Sequence, residues 1–72
     1  MTLYEYYISL DFKEILKVTD NDILVRINDE KDPIWFPMWH VKNAKDFAKG
    51  EGPGTLCITE WIAYVKGLEI KS

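Results

Sequence analysis

Ile15-Leu16-Lys17-Val18-Thr19-Asp20-Asn21-Asp22-Ile23-Leu24-Val25-Arg26-Ile27 decides the fold. Two apolar, β-branched runs, residues 15–18 and 23–27, flank four polar residues. Asp and Asn tolerate left-handed backbone and bond to their own turn amides, so the stretch predicts an antiparallel hairpin. On its second strand Ile23, Val25 and Ile27 share one face and Leu24, Arg26 and Asn28 the other. The isoleucine–valine face is the one expected to point inward.

Upstream, Leu3-Tyr4-Glu5-Tyr6-Tyr7-Ile8-Ser9-Leu10 puts Tyr4, Tyr6, Ile8 and Leu10 on one period-two face, the pattern of a half-buried strand. Tyr4, Tyr6 and Tyr7 cannot all point inward, so at least one ring is expected on the surface, favouring a binding face or an edge-to-edge dimer. Residues 12–17 read either as a helical turn or as the approach to the second strand. Downstream, residues 28–33 form an acidic turn leading into Ile34-Trp35-Phe36-Pro37-Met38-Trp39-His40-Val41. Pro37 has no amide hydrogen, so this third strand must be an edge or be interrupted there.

Val41, Ala44, Phe47 and Ala48 then recur at helical spacing, with Gly50 as a cap. Residues 50–54 are a loop by composition. Residues 55–58 read as a strand with Leu56 and Ile58 inward. Thr59 is a helix N-cap, with Glu60 in the first turn, where the helix dipole favours negative charge. Trp61, Tyr64, Val65 and Leu68 make one apolar stripe that is expected to dock on the sheet, and Gly67 ends the helix. Trp35 and Trp61 are read as core. The implied fold is α+β, one small domain over residues 1–72. It has four to five short antiparallel strands in a curved sheet or an SH3- or OB-like barrel, and one short C-terminal helix.

Composition bounds the function. Seventy-two residues, 47% hydrophobic, leave no room for a multidomain enzyme, and one cysteine excludes a disulfide scaffold. Ten aromatic residues (three Trp, four Tyr, three Phe) argue against disorder. No apolar run approaches the roughly 20 residues that span a bilayer, and the N-terminal residues lack a basic flank, so a cytoplasmic location is expected. The net charge of −3 disfavours general phosphate binding. Yet the first half carries −4 and the second +1, which leaves room for a local basic patch.

Two segments resemble a family of small phage- and plasmid-encoded proteins. The first is Trp35-Phe36-Pro37-Met38-Trp39-His40-Val41, similar to the family's Trp-Ile-Pro-Lys-Ser-Gln-Val. The second, Gly54-Thr55-Leu56-Cys57-Ile58-Thr59-Glu60-Trp61-Ile62-Ala63-Tyr64-Val65-Lys66-Gly67-Leu68, is similar to Gly-Thr-Leu-x-Ile-x-Glu-Trp-Leu-Ala-x-x-Lys-Gly-Leu. The resemblance covers roughly residues 14–68. It departs where Met38-Trp39 replaces Lys-Ser, removing a candidate phosphate contact and adding two side chains that are enriched at protein interfaces. By analogy, the resemblance implies an accessory protein that binds and inhibits a host factor, such as an anti-CRISPR-like anti-defence inhibitor.

Catalytic groups are sparse. There is one histidine, His40, one cysteine, Cys57, and two serines, Ser9 and Ser72. No spacing suits zinc, and nothing orients a Cys57–His40 pair, so neither catalysis nor a metal or cofactor is expected. Cys57 is read as a small strand residue and His40 as a polar edge residue. Asp20, Asp22, Asp29, Glu30 and Asp32 lack the glycine and further ligands of a calcium loop. The leading expectation is a non-enzymatic module binding a host or defence-system protein through Met38 and Trp39, with Asp29, Glu30 and Asp32 at the rim. The alternative is a nucleic-acid-binding accessory barrel in which Lys42, Lys45 and Lys49 line one helical side and Trp39 stacks on a base.

Overall fold

The hairpin predicted at residues 15–27 supplies two adjacent strands of a three-stranded antiparallel sheet in the computed structural model, which describes residues 6–68. Its strands are β2 (Glu14–Val18) and β3 (Asp22–Arg26), and β4 (Ile34–Pro37) adds on the far side of β3. The turn closes through Thr19, whose amide donates to the Asp22 carbonyl at 2.8 Å while its hydroxyl accepts from the Asp22 amide at 2.9 Å. β1 (Tyr7–Phe12) pairs antiparallel with β5 (Gly54–Thr59) in a second, two-stranded sheet. The Lys13 amide, which donates to the Arg26 carbonyl at 2.8 Å, joins the end of β1 to β3.

Strand alternation fills one apolar core between the sheets. Ile23 and Val25 face inward as the period-two pattern predicts, and so do Leu56 and Ile58 of β5. Phe12, at the end of β1, meets Phe47 edge-on with ring centroids 5.1 Å apart. The ambiguous residues 12–17 are therefore the end of one strand and the start of the next. The same alternation corrects the reading of Trp35 as core. Trp35 lies opposite Leu24 on the outer face of the sheet and is 41% exposed, while its neighbour Phe36 is fully buried.

Pro37 ends β4, and a 3₁₀ turn, Met38–His40, follows it. The helix-like spacing of residues 41–48 yields only a second 3₁₀ turn, Ala44–Asp46. Val41 is held extended there by its bridge to Ile58, and the Lys42 amide donates to the Cys57 carbonyl at 2.7 Å, so no i→i+4 ladder starts. The loop of residues 50–54 closes against β2, and Gly52 fits at φ +143° where a Cβ would collide with the Lys13 carbonyl.

The C-terminal helix, α1 (Glu60–Val65), has its expected start and stop. Thr59 accepts from the Ile62 amide at 3.2 Å as N-cap. At the other end Gly67, at φ +70°, donates to the Tyr64 carbonyl and Leu68 to the Ala63 carbonyl, the Schellman pattern. The face is only partly the expected one: Trp61 and Leu68 pack half-buried against the core, but Tyr64 and Val65 do not. Ile62 and Ala63 are buried, whereas Tyr64 is 75% and Val65 51% exposed. β5 runs directly into α1 with Thr59 buried, so the strand's exit direction fixes the rotation of a six-residue helix before its larger side chains can choose. Ala63 then lets the helix approach the sheet closely. No helix among the described residues is long and apolar enough to cross a membrane.

Candidate functional site

Among the described residues the most exposed large apolar side chain is Trp39, at 76%. Its exposure follows from the proline kink: the 3₁₀ turn after Pro37 steps successive side chains about 120° around its axis, which leaves Trp39 on the side facing water. Met38 and His40 therefore turn inward and Trp39 turns out. Met38 packs half-buried against the core and is not the outward residue expected from sequence. Its amide donates to the Asn21 carbonyl at 2.9 Å, which ties the turn to the β2–β3 hairpin. Trp39 thus stands on a backbone fixed from two sides, the preorganisation an interface anchor needs.

A cleft of about 320 Å³ opens beside it, lined by Met38, Trp39, Lys42, Asn43, Lys45 and Asp46, with Val41 and Ala44 at its apolar base. Lys42 and Lys45 thus join Trp39 as the alternative reading proposes, but Lys49 is not in the lining and Asp46 offsets part of the positive charge. The Lys42 ammonium sits 5.4 Å from the Tyr7 ring centroid, within cation–π range. Asn43 is spent on structure. Its amide donates to the Thr55 carbonyl at 3.0 Å and accepts from the Cys57 amide at 2.8 Å.

The acidic residues Asp29, Glu30 and Asp32 are exposed but are not brought to Trp39. Register places Val25 opposite Ile34 and Asp22 opposite Pro37, so the 28–33 turn and the Met38 turn lie at opposite ends of the β3–β4 pair. The turn itself is closed by Asn28, whose side chain accepts from the Glu30 and Lys31 amides. Asp29 pairs with Lys13, and that hydrogen bond and charge hold its carboxyl below the usual range. The carboxylate-bearing turn that adjoins Met38 is instead residues 19–22 with Asp20 and Asp22. A β-hairpin register laid out from the sequence, with Pro37 opposite Asp22, carries the signal that was missed.

His40 is buried, at 8% exposure, and not an edge residue. Its Nδ1 lies 2.9 Å from the Thr59 hydroxyl, and its ring packs on Trp61 at 5.0 Å and against Trp39 at 6.3 Å between centroids. Trp61 is accordingly half-buried against His40. The hydroxyl that caps α1 is thus the one that fixes the turn carrying Trp39. Burial lowers the His40 pKa from its ordinary 6.5. The folded state then binds its proton less readily than the unfolded chain. The stability His40 contributes is complete above about pH 6.5 and is lost as pH falls through that value toward the lowered one. Thermal melts at about pH 7.5 and about pH 5.5 should show a drop that His40→Gln reduces. An unchanged drop in the variant places the acid sensitivity elsewhere.

Cys57 is a free thiol on β5, part-buried between Ser9 across the strand pair and Asn43. The His40 ring is engaged with Thr59, Trp39 and Trp61, while the Cys57 backbone is engaged with Asn43 and Lys42. Among the described residues no group of three or more His, Cys, Asp or Glu is placed to hold a metal ion. No family model, no curated protein and no solved structure matches this chain.

Proposed function

We propose that this protein is a non-enzymatic protein-binding module whose anchor is Trp39, presented from a small SH3- or OB-like barrel-type scaffold. The observation that carries the reading is a large indole left 76% in water on a rigid turn. Exposing it gives up apolar burial worth about 25 cal/mol per Å², which a partner's pocket recovers. The sparse nucleophiles support a role without catalysis. The resemblance to small phage- and plasmid-encoded proteins supports an accessory, anti-defence inhibitor of the anti-CRISPR kind, acting on a host protein in the host cytoplasm.

A second reading, single-stranded nucleic acid, is favoured by one observation only: Lys42 and Lys45 share the cleft with Trp39. Salt separates the two. Association through phosphates weakens steeply between low and physiological salt, whereas an aromatic-centred protein interface loses far less. Titrating the intrinsic tryptophan fluorescence with oligothymidylate at two salt concentrations should show no saturable binding. Capture of a host protein by the immobilised chain should survive nuclease treatment. Tight, salt-sensitive oligothymidylate binding reverses the order of the two readings.

A further inference from the structure

We infer that the outer edge of β1 is a self-association surface, pairing with β1 of a second copy about a two-fold axis at Ser9. The argument comes from how the other sheet edges are closed. β4 is four residues long and ends in Pro37. β2 carries a register shift after Ile15 and is covered by the loop, because the Ile15 amide donates to the Glu51 carbonyl and the Gly50 amide to the Ile15 carbonyl, at 2.8 and 2.7 Å. The free side of β5 is occupied by Lys42 and by the Asn43 side chain, which satisfies Cys57 and Thr55 as a strand would. These are the devices by which sheets avoid edge pairing.

Among the described residues, β1 has none of them. It is six residues long, without proline, glycine or lysine, and Asp11 is its single charge. Its backbone polarity follows from β5. Both the amide and the carbonyl of Cys57 are used on the Asn43 side, so Ser9 and Cys57 form a non-hydrogen-bonded pair. The N–H and C=O of Ser9 therefore point to the outer edge, and by alternation so do those of Tyr7 and Asp11. Turning a second β1 antiparallel about Ser9 sets Ser9 against Ser9, and Tyr7 of each copy against Asp11 of the other. Every one of those outward groups finds a partner, and no like charges oppose each other. On the inner face Ile8 would meet Leu10 of the second copy, covering two apolar side chains that the monomer leaves half-exposed. That match in register, charge and apolar face selects a second copy as occupant.

The test is the mass in solution and its response at Ser9. Sedimentation velocity of the wild-type chain should give a species of twice 8.5 kDa at micromolar concentration. Ser9→Pro removes only an outward N–H, and Ser9→Lys sets two ammonium groups opposite each other at the axis. Each should weaken the dimer at least about tenfold while leaving the monomer's circular dichroism unchanged. Because the lysine variant keeps its backbone amide, it carries the test should the proline variant misfold. Trp39→Ala should leave the dimer intact. A wild-type chain that stays monomeric, or a dimer indifferent to Ser9→Lys, overturns the inference.

Discussion

Phe36→Ala should cost about 3–5 kcal/mol, the usual loss for truncating a fully buried phenylalanine. A domain of this length has only about 4–11 kcal/mol of stability in total, so the loss should remove a quarter or more of it and shift the unfolding midpoint strongly downward. Phe36 is fully buried, opposite Ile23, in a core that receives side chains from both sheets. A cavity there cannot collapse without moving β4 off β3. The control is the adjacent residue: Trp35→Ala on the outer face should cost about 1 kcal/mol or less, though it deletes more atoms. Urea melts of both variants measure the contrast. Equal losses would mean that the strand's two faces are not distinguished as the register requires.

That contrast also shows what the sequence could and could not reveal. Strands were legible wherever one face is apolar and the other polar, as in residues 23–27, because a slip of one residue would turn the whole set outward. Trp35-Phe36 defeats such reading, since two aromatic residues in succession give no alternation and only the pairing partner decides which is buried. α1 fails for a related reason. Its caps were plain from Thr59 and Gly67, local features that chemistry dictates directly. Its rotation was not, because a stripe of Trp61, Tyr64, Val65 and Leu68 is a stronger periodic signal than Ile62-Ala63, and the geometry of β5 turns Tyr64 and Val65 out of it. For the site, Pro37 announced the kink and Trp39 its product. The burial of Met38 and His40, and the distance of the 28–33 turn, depend on long-range hydrogen bonds to Asn21 and Thr59 that no local pattern records.

Trp39→Ala should have the opposite profile to Phe36→Ala: an unchanged fold and a large loss of affinity. With three-quarters of its surface in water, the indole contributes little to the folded state, so the melting temperature should stay within about 2 °C of wild type. Bound in a partner's pocket it would act as a central aromatic anchor, and its truncation should cost about 2 kcal/mol or more, roughly thirtyfold in Kd. The neighbouring surface sharpens the expectation. His40 separates Trp39 from Trp61, and Tyr64 and Val65 lie one turn further along the exposed side of α1, so the indole stands at one end of an apolar strip. Tyr64→Ala should then weaken the same partner by a smaller factor, while Trp35→Ala, on the outer face of the other sheet, should leave it alone. Calorimetric titration of the captured partner against the three variants reads all of this at once. A folded Trp39→Ala variant that binds as well as wild type removes the anchor, and with it the reason for an indole to stand in water.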